Sequence, residues 1–515
     1  MKLRILLSIF FSLLLLTSCT DKQPEGPLNQ KPNVLPALKE WQAKSGYFTL
    51  TDKTTISAAE KIPSVSLFLQ DLKLMSGKGY SFAEGKNAGD ISFSYSKEGG
   101  YGEDGYSISI ADKVEVLAGT EKGIFNATQT LLQILKQEPG QSRLPRGVIK
   151  DNPILTERAF MMDVGRRYYE VPYLKQVIRN MAWQKLNVLH LHFTDWSGFR
   201  LKSDKFPTLA SEQAYSKQDI RDLQDYAKQY QIMIVPEIDL PAHATHIIKW
   251  NPDLAFSCES MRNTIGNNWL PQDLNPQNPG WILDVSKPQT KQFIKELFDE
   301  FIPLFDGPYF HVGGDEWQYD KQKMECPELV AATKALGYQY PGDVFVAWIN
   351  EVNAQVKSYG KTTQIWSWWN FSPSAEKQNV TSISPDKDVV VNVWNKETQG
   401  IILQEGYNII STFEDGPEAL YITPGLNGKA PGDYGYFDSK SIYEKWQPET
   451  SAQFKGYKVC LWADRAEHQA DGWFNQFYEV PLKVFAEKAW GVKGSDTFPA
   501  FIENTNKIGA APFSL

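Results

Sequence analysis

The chain of 515 residues has few of the side chains that mark metal sites: it contains four cysteines and six histidines, and their spacing matches no metal-ligand motif. Positive charge is not in excess, since the formal net charge is -8 at pH 7. This balance excludes the basic footprint of a nucleic-acid-binding protein for the chain as a whole. Beyond residue 22, no apolar run in the sequence is long enough to span a bilayer.

Aromatic residues, by contrast, are abundant, with 16 Trp and 23 Tyr. Aromatic faces stack well on the apolar faces of sugar rings, so the composition fits a protein that handles carbohydrate. For any single ring, a place in the hydrophobic core is the more common outcome. The composition therefore indicates a substrate class only in combination with motifs.

The first residues have the pattern of an export signal. Lys2 and Arg4 precede an apolar stretch, Ile5–Leu16, that is too short for a good membrane span. The stretch ends in LTSC, which resembles the lipobox of bacterial lipoproteins. The resemblance implies cleavage after Ser18, a lipid on Cys19 and a place in the bacterial cell envelope, facing either the periplasm or the exterior. A plain secretory signal with an incidental cysteine is the alternative.

The chain divides into four segments that differ in composition and in hydrophobic pattern. Residues 1–18 are predicted to be the signal peptide, and residues 19–33, rich in Pro, Asn and Gln, a flexible tether. Residues 34–150 combine alternating strand patterns, such as ISFSY and YSISI, with an amphipathic helix in GIFNATQTLLQIL. We expect a small α+β domain there, followed by the main domain over 151–515.

In the main domain, eight apolar runs alternate with helical stretches, which indicates a parallel sheet covered on both faces. The runs are Arg158–Gly165, Val188–Asp195, Ile232–Asp239, Tyr309–Glu316, Thr363–Trp369, Val389–Trp394, Asn408–Phe413 and Lys458–Asp464. Eight such units fit an α/β fold of the (β/α)8 TIM-barrel type, and a doubly wound open sheet is the alternative. The barrel is favoured because polar residues fall at the ends of the runs, where a barrel brings them to one opening; they are Asp195, Asp239, Glu316, Trp394 and Asp464.

The strongest chemical signal is HVGGDEW, which ends at Trp317. Asp315 and Glu316 follow two glycines, which permit a sharp turn and leave room for a ligand. Two crowded carboxyls in a partly dry pocket cannot both ionise freely, so we expect one to hold its proton near neutral pH. A bare Asp-Glu pair would be read as a solvated loop tip, but this pair follows an apolar strand and two glycines.

FHVGGDEW resembles the motif of the family 20 glycoside hydrolases, the β-N-acetylhexosaminidases, and other segments agree in order and spacing over nearly the whole mature chain. The resemblance implies a TIM barrel behind a small α+β domain. Arg166, in DVGR, matches an Arg that binds hydroxyls of the terminal sugar. Asp195, in LHLHFTDW, and His243, in PEIDLPAH, match residues near the catalytic pair, with Ala242 in place of the usual Gly.

The same resemblance assigns the pocket walls. Trp366, Trp394 and Trp462 match aromatic positions that line the sugar pocket. Tyr421, in LYITPG, matches a Tyr that contacts the acetamide group of the substrate. Asp464 matches an acidic position that holds a sugar hydroxyl.

The histidines do not indicate a metal site. His190 and His192 lie on a predicted buried strand and are expected to be core residues with satisfied hydrogen bonds. His243 and His246 lack further ligands at a suitable spacing. Neither a metal nor a cofactor is expected.

The resemblance also implies a mechanism in which the 2-acetamido oxygen of the substrate attacks the anomeric carbon, with retention through an oxazolinium intermediate. Glu316 protonates the leaving oxygen and then activates water. Asp315 accepts a hydrogen bond from the acetamido N–H, and Tyr421 donates one to its oxygen. Asp195 and His243 support Glu316. The predicted activity is exo-acting hydrolysis of terminal β-linked N-acetylhexosamine from glycans.

Two departures from the family pattern leave the substrate open. Members that remove single sugars often carry Asp two residues after the Tyr, where this chain has Thr423. The acid on the eighth strand is Asp464 rather than the commoner Glu. These changes resemble relatives that accept a disaccharide unit, of the lacto-N-biosidase type, or a sulfated N-acetylglucosamine. Arg166 and Asp195 favour the ordinary exo-acting pocket, and a glycan-binding lipoprotein without activity is a further alternative.

Three cysteines remain in the mature sequence. Cys258 and Cys326 both fall in predicted loops, where a disulfide between them is possible in the cell envelope. Cys460 lies within the apolar segment KVCLW and is expected to be a buried thiol.

Overall fold

The computed structural model describes residues 26–85, 88–261, 280–317, 324–367, 381–424, 435–464 and 466–512. The small domain contains a seven-stranded sheet and two helices on one of its faces. Its strands are β1 (Glu40–Thr49), β2 (Thr55–Ala58), β3 (Ser81–Glu84), β4 (Ile91–Tyr95), β5 (Tyr106–Ile110), β6 (Val114–Ala118) and β7 (Arg143–Asp151). Its helices are α1 (Pro63–Ser76) and α2 (Glu121–Gln137).

The sheet of the small domain is mixed, with the strand order β1-β7-β5-β6-β4-β2-β3. The predicted alternation is realised in β5, where Tyr106, Ile108 and Ile110 are buried and the residues between them are partly exposed. Helix α2 begins at an N-cap, because Thr120 accepts a hydrogen bond from the backbone N–H of Gly123. The helix is buried along most of its length, so it forms the layer between this sheet and the main domain.

The main domain is a closed parallel barrel, as predicted. Its eight barrel strands, which we call staves, are β8 (Glu157–Asp163), β9 (Val188–His192), β12 (Met233–Leu240), β13 (Tyr309–Gly313), β14 (Thr362–Trp366), β15 (Val390–Val393), β16 (Asn408–Ser411) and β18 (Phe454–Leu461). Three short strands lie outside the ring: β10 (Thr194–Asp195), β11 (Gly198–Phe199) and β17 (Tyr421–Ile422). The ring closes because β18 pairs with both β16 and β8. All seven residues of β8 are buried, as expected for a strand covered on both faces.

Helices cover the outside of the barrel, and each of the longer ones buries one apolar stripe. Those that the structure describes are α3 (Val171–Trp183), α4 (Lys217–Gln229), α5 (Thr245–Trp250), α6 (Pro288–Phe301), α7 (Pro327–Ala335), α8 (Gly342–Ser358), α9 (Lys396–Gln404), α10 (Ser439–Lys445), α11 (Asn475–Trp490) and α12 (Phe498–Ile508). In the described part of the chain, no helix is both long and apolar enough to cross a membrane.

The C-terminal ends of the eight staves surround one opening, which we call the mouth. Seven of the eight staves end before the predicted end of their run, and at two of them the difference moves a site residue. Strand β13 was expected to continue to Glu316 but ends at Gly313, because Gly313 and Gly314 adopt positive φ angles of 74° and 93°. Strand β9 was expected to include Asp195, but that residue lies in β10, which pairs with β11 in a small hairpin at the rim.

The small domain packs on the barrel through buried ion pairs. Arg158, on β8, lies 2.8 Å from Asp104 through its Nη2 atom, and Arg179, on α3, pairs with Asp71, on α1. We call these the interdomain pairs. In both pairs each side chain is less than one tenth exposed. Each arginine also donates to further acceptors: Arg158 to backbone carbonyls such as that of Lys185, and Arg179 to other groups of the interface.

The segment before β1 is held against the rest of the molecule. The side chain of Asn29 donates to the backbone carbonyl of Gly46, and that of Asn33 donates to the carbonyl of Asn504 on α12 at 2.9 Å. The backbone N–H of Ala37 donates to Glu487, on α11, at 2.8 Å. Residues 26–33, which fall within the predicted tether, are therefore part of the small domain in this structure. Cys19 and the predicted signal peptide lie outside the described residues.

The cysteines behave as their positions suggested. Cys258 and Cys326 form a disulfide with a Cα–Cα distance of 5.9 Å. Cys460 is a buried free thiol on β18, in contact with the hydroxyl of Thr412.

Candidate active site

The predicted acid pair lies at the mouth, directly after β13. Glu316 adopts a positive φ of 48°, and this turn brings its carboxylate to the same side as that of Asp315. One oxygen of each approaches the Nε2 atom of His243, at 3.7 Å for Asp315 and 3.3 Å for Glu316. The two carboxyl groups therefore lie together on one side of the pocket. The Oδ1 atom of Asp315 is buried and has no hydrogen-bond partner among the described residues, which leaves an acceptor available to a ligand.

His243 connects the acid pair to the barrel interior. It follows β12 in a left-handed conformation with φ 56°, and its ring packs 4.5 Å from that of Trp281. Its Nδ1 atom lies 3.3 Å from Asp195. Burial opposes a charge on this ring, but Asp195, Asp239 and Asp315 outweigh it and raise the pKa of His243 well above its usual range. His243 is therefore an imidazolium beside Glu316, as the predicted supporting role requires.

Asp195 is the other half of that support. It is fully buried, and its carboxylate accepts from the backbone N–H of Trp196 at 2.6 Å and contacts Nε2 of His192 at 2.8 Å. Burial alone would raise the pKa of Asp195, but Arg166 and His243 hold it well below its usual range. Asp195 thus remains an ionised acceptor for His243.

Arg166, the predicted sugar-binding arginine, lies at the mouth. Its Nη1 atom lies 2.9 Å from Asp163 and 3.0 Å from Asp195, and its Nε atom lies 3.4 Å from Asp464. The neighbouring Arg167 turns outward and bonds Asp471 instead. Three carboxylates therefore fix the guanidinium next to Asp464, and these two groups together can bind sugar hydroxyls.

Aromatic rings form one wall of the mouth. Trp366, Tyr421 and Trp462 pack with Met161 and Cys460 in one cluster, and the partly buried Trp394 packs against it. The ring centroids of Trp366 and Trp462 are 6.0 Å apart, and those of Tyr421 and Trp462 are 5.7 Å apart. The indole Nε1 of Trp394 donates to the carbonyl of Ser367 at 2.9 Å, which fixes the ring at the rim. The three predicted wall tryptophans thus come together from three staves or their extensions, and Tyr421 joins them from β17.

Asp239 is a site residue whose role the sequence did not reveal. It is buried at the end of β12, and its Oδ1 atom has no hydrogen-bond partner among the residues described. Burial and the charge of Asp315 raise the pKa of Asp239 well above its usual range. Burial and a like charge thus favour the neutral form of a carboxyl that lies behind the acid pair. The close packing requires glycine on the facing strand, because a Cβ at Gly313 would lie 1.7 Å from this oxygen.

Glu237 also went unnoticed in the sequence. It is fully buried on β12, and its carboxylate lies 2.6 Å from Nδ1 of His192 and accepts from Nε1 of Trp366 at 2.6 Å. Burial opposes its charge, but His192 and His311 outweigh it, and the pKa of Glu237 lies well below its usual range. The alternation of β12 gave the signal that could have found it: Glu237 and Asp239 share one face of the strand, toward the barrel interior.

Two further acids lie at the rim. Burial and the charges of Asp415 and Glu316 raise the pKa of Glu414 to about 8. Burial and the charge of Asp464 raise the pKa of Glu467 to about 7. Both carboxyls can therefore change their charge near neutral pH, close to the residues expected to bind the sugar.

Some of these side chains also have a spacing that could hold a cation. The described groups are His190 with Glu237 and His311, His192 with Glu237 and Asp239, and Asp239 with His243 and Asp315. In the first group the ammonium of Lys458 lies 2.7 Å from His190, and the indole of Trp366 already donates to Glu237. Protein donors therefore occupy the positions that a cation would need there.

Comparison with protein families agrees with this architecture. The profile of glycosyl hydrolase family 20, catalytic domain, matches residues 157–492, and that of glycosyl hydrolase family 20, domain 2, matches residues 31–152. These two ranges correspond to the barrel and to the small domain.

Curated relatives are about a quarter identical to the chain over the aligned residues. A β-hexosaminidase from Porphyromonas gingivalis is 27% identical over 530 residues, which cover 95% of this chain and 65% of the relative. A lacto-N-biosidase from Bifidobacterium bifidum is 26% identical over 489 residues, which cover 90% of this chain and 40% of the relative. The chain thus spans less than two thirds of the length of these relatives.

Solved structures show the same fold. A β-N-acetylhexosaminidase from Bacteroides fragilis aligns with a TM-score of 0.75 at 21% identity, covering 93% of this chain and 96% of that one. An exo-β-N-acetylglucosaminidase from Vibrio harveyi, in complex with N-acetylglucosamine, aligns with a TM-score of 0.76 at 21% identity, covering 94% and 78%.

Proposed function

Because the chain belongs to glycosyl hydrolase family 20, we propose that it removes terminal β-linked N-acetylhexosamine from glycans by an exo-acting, retaining and substrate-assisted reaction. The contact of Asp315 and Glu316 with one nitrogen of His243 carries this proposal. Carboxyls that contact the same atom cannot flank a sugar ring from opposite faces, as an enzyme nucleophile and an acid must. The attacking group is then the acetamido oxygen of the substrate.

The residues of the mouth divide the reaction between them. Glu316 gives its proton to the leaving oxygen and then removes one from the attacking water. Asp315 accepts a hydrogen bond from the acetamido N–H through its free oxygen, which stabilises the positive charge of the oxazolinium. Tyr421 donates to the acetamido oxygen, and Trp366 and Trp462 press the acetamide beneath the anomeric carbon.

The reaction is tested with aryl glycosides of N-acetylglucosamine, N-acetylgalactosamine and glucose. The two N-acetylated substrates are expected to be hydrolysed and the glucoside is not, because it lacks the internal nucleophile. A thiazoline mimic of the intermediate is expected to inhibit competitively. Hydrolysis of the glucoside at a similar rate, or no effect of the thiazoline, contradicts substrate assistance. Binding of these sugars without hydrolysis favours the glycan-binding alternative.

A second candidate is the hydrolysis of a larger or substituted terminal unit. It is favoured by Thr423, which stands two residues after Tyr421 where single-sugar enzymes often have Asp, and by the shorter acid Asp464. The similarity to a lacto-N-biosidase extends over 90% of this chain. Lacto-N-tetraose and 6-sulfated N-acetylglucosaminides separate the candidates: release of an intact disaccharide, or a preference for the sulfated sugar, replaces the first candidate by the second.

We further propose that the enzyme is a lipoprotein of the bacterial cell envelope, anchored through Cys19. The support is the sequence pattern of a short basic region, an apolar stretch and LTSC. Expressed in a bacterium, the natural chain is expected in the membrane fraction with incorporated fatty acid, and Cys19→Ser in the soluble fraction. Equal solubility of both forms favours the plain secretory signal. Protease treatment of intact cells then separates a periplasmic from a surface position.

A further inference from the structure

Glu237 lies deeper in the barrel than any residue to which the reaction above assigns a role. It nevertheless contacts His192 and Trp366, through which it can influence that reaction. Its Oε2 atom lies 2.6 Å from Nδ1 of His192, and its Oε1 atom accepts from Nε1 of Trp366 at 2.6 Å. The carboxylate is fully buried, and an ionised carboxylate in such a place must be balanced by donors. Its two oxygens thus contact different parts of the mouth: Oε2 contacts His192 and Oε1 contacts Trp366.

The first contact leads to the proton donor. His192 also contacts Asp195, at 2.8 Å through Nε2, and Asp195 contacts His243, whose ring lies 3.3 Å from Glu316. The ring of His192 is therefore placed between two carboxylates, one at each nitrogen. A neutral imidazole has only one N–H and satisfies only one of them, so this geometry requires the imidazolium. Burial opposes that charge, but Glu237 and Asp195 raise the pKa of His192 well above its usual range.

The second contact leads to the pocket wall. Trp366 is 1% exposed, its ring lies tilted against that of Trp462 with the centroids 6.0 Å apart, and its indole N–H has Glu237 as acceptor. A tryptophan ring without this bond can rotate about its side-chain torsions, while the bond fixes the edge that faces the barrel interior. The orientation of the surface that presses on the acetamide thus depends on Glu237.

Other titratable groups also face Glu237, from every strand packed against it. His190 lies 3.1 Å away on β9, and His311 3.0 Å away on β13. Burial lowers the pKa of both rings, with the charge of Lys458 contributing. Burial also lowers the pKa of Lys458, on β18, to about 8. Among the described residues, Asp163, Asp239 and Cys460 also interact electrostatically with Glu237 or His192.

We propose that Glu237 is a positioning residue that couples the pocket wall at Trp366 to the proton donor Glu316. The proposal rests on the reaction proposed above and adds a residue that touches neither substrate nor reacting atoms. The proposal has a consequence for the charges of His192 and Asp195. While Glu237 is ionised, His192 is an imidazolium and offsets the negative charge of Asp195.

The direction of the pH effect follows from that offset. In Glu237→Gln the amide can satisfy Nδ1 of His192 without a proton, so His192 becomes neutral. Asp195 then loses one of its adjacent cations while Arg166 and His243 remain beside it, so its negative charge acts more strongly on Glu316 and disfavours the ionisation of Glu316. Glu316 then keeps its proton to higher pH, so the basic limb of the plot of kcat/KM against pH moves to higher pH.

The first test compares Glu237→Gln with Glu157→Gln. Glu157 is a buried glutamate of the same barrel that bonds Tyr309 at 2.8 Å, at the end opposite the mouth. On an aryl N-acetylglucosaminide, Glu237→Gln is expected to lower kcat at least about tenfold with a smaller change in KM, and to move the basic limb upward by at least about 0.5 pH unit. Glu157→Gln keeps the natural profile. A basic limb that stays in place in Glu237→Gln, or moves downward, overturns the proposal.

The second test does not depend on activity. The chain has six histidines, so selective 15N-histidine labelling gives few imidazole resonances. At pH 8 the natural protein and Glu157→Gln are expected to show a doubly protonated ring for His192, and Glu237→Gln a neutral one. The same ring state in all three proteins overturns the proposal. If the natural protein hydrolyses no N-acetylated sugar while the ring states differ as expected, the proposed function fails and the coupling of Glu237 to His192 stands.

Discussion

The molecule contains two sets of buried charges, and they are built differently. In the interdomain pairs, each arginine has one carboxylate of its own, and the remaining donors reach amide oxygens. At the mouth, partners are shared: Asp163, Asp195 and Asp464 all approach Arg166, and Asp239, Asp315 and Glu316 all approach His243. Among the described residues of these two sets, only those of the mouth leave buried carboxylate oxygens without a hydrogen bond, at Asp239 and Asp315.

The difference teaches how a buried charge is to be interpreted. Burial and pairing are common to both sets, so neither property identifies a site by itself. Shared partners and unused acceptors identify the mouth, because they leave binding capacity that a substrate can use. The interdomain pairs have no such capacity and join two domains. Substitutions in the two sets are therefore expected to affect different measurements.

The largest effect is expected for the acid pair. Glu316→Gln removes the proton donor and Asp315→Asn removes the charge that stabilises the oxazolinium, and each is expected to lower turnover of an aryl N-acetylglucosaminide by about 10²–10⁴-fold. The thermal midpoint is expected to fall little or to rise, since like charges are relieved. Asp52→Asn, at an exposed position, is the control with natural turnover. Near-natural rates for either acid variant would refute the role given to that residue.

The next effect belongs to the interdomain pairs. Asp104→Asn leaves the guanidinium of Arg158 buried without a counter-charge and is expected to cost about 3 kcal/mol in the free energy of unfolding by urea. Asp112→Asn is the matched control, because Asp112 pairs with Arg146 while 90% exposed. Turnover per folded molecule is expected to stay natural in both. A loss of turnover in Asp104→Asn at unchanged stability would break the distinction between the two sets.

A smaller effect is expected for one hydrogen bond in the pocket. Tyr421→Phe removes the proposed donor to the acetamido oxygen while the ring stays packed against Trp462, so kcat is expected to fall roughly tenfold. Tyr436→Phe makes the same chemical change at a ring that is 51% exposed. Equal kinetics for both variants would show that the hydroxyl of Tyr421 does not act on the substrate.

The smallest effect concerns pH at the rim. The pKa of Glu467 is raised to about 7, so its carboxyl is neutral below pH 7 and charged above it. Above pH 7 the new charge competes with Asp464 for Arg166, and KM is expected to rise about twofold between pH 6 and pH 8. In Glu467→Gln this rise is expected to disappear. A rise that persists in the variant would assign it to another group.

Much of this organisation was predictable from the sequence. Each of the eight apolar runs overlaps one stave, because strands covered on both faces need continuous apolar residues. The acids after those runs reach one mouth, because parallel strands end on the same side. The choice of Arg166 over Arg167 followed the motif and matches the structure, where only Arg166 contacts the acids of the mouth.

The contacts within the barrel interior were not predictable in the same way. Glu237 lies opposite His192 on β9 and opposite His311 on β13, and this juxtaposition depends on the stagger of neighbouring strands. No spacing within one segment encodes that stagger. The end of β13 was misplaced for another reason: two glycines permit a turn, but the sequence does not say where the turn begins. The packing of residues 26–33 was missed because hydrogen bonds, two from each of the side chains of Asn29 and Asn33, hold a polar segment without an apolar pattern.

The contacts of the segment before β1 constrain when this protein can finish folding. Asn33 bonds a residue 471 positions later in the chain, and Ala37 bonds one 450 positions later. A ribosome makes these partners near the end of synthesis, so the segment must wait for α11 and α12 while the sheet of the small domain can already form. Removing α12 would therefore leave both domains with their strands intact, but the contacts between the two domains would be incomplete.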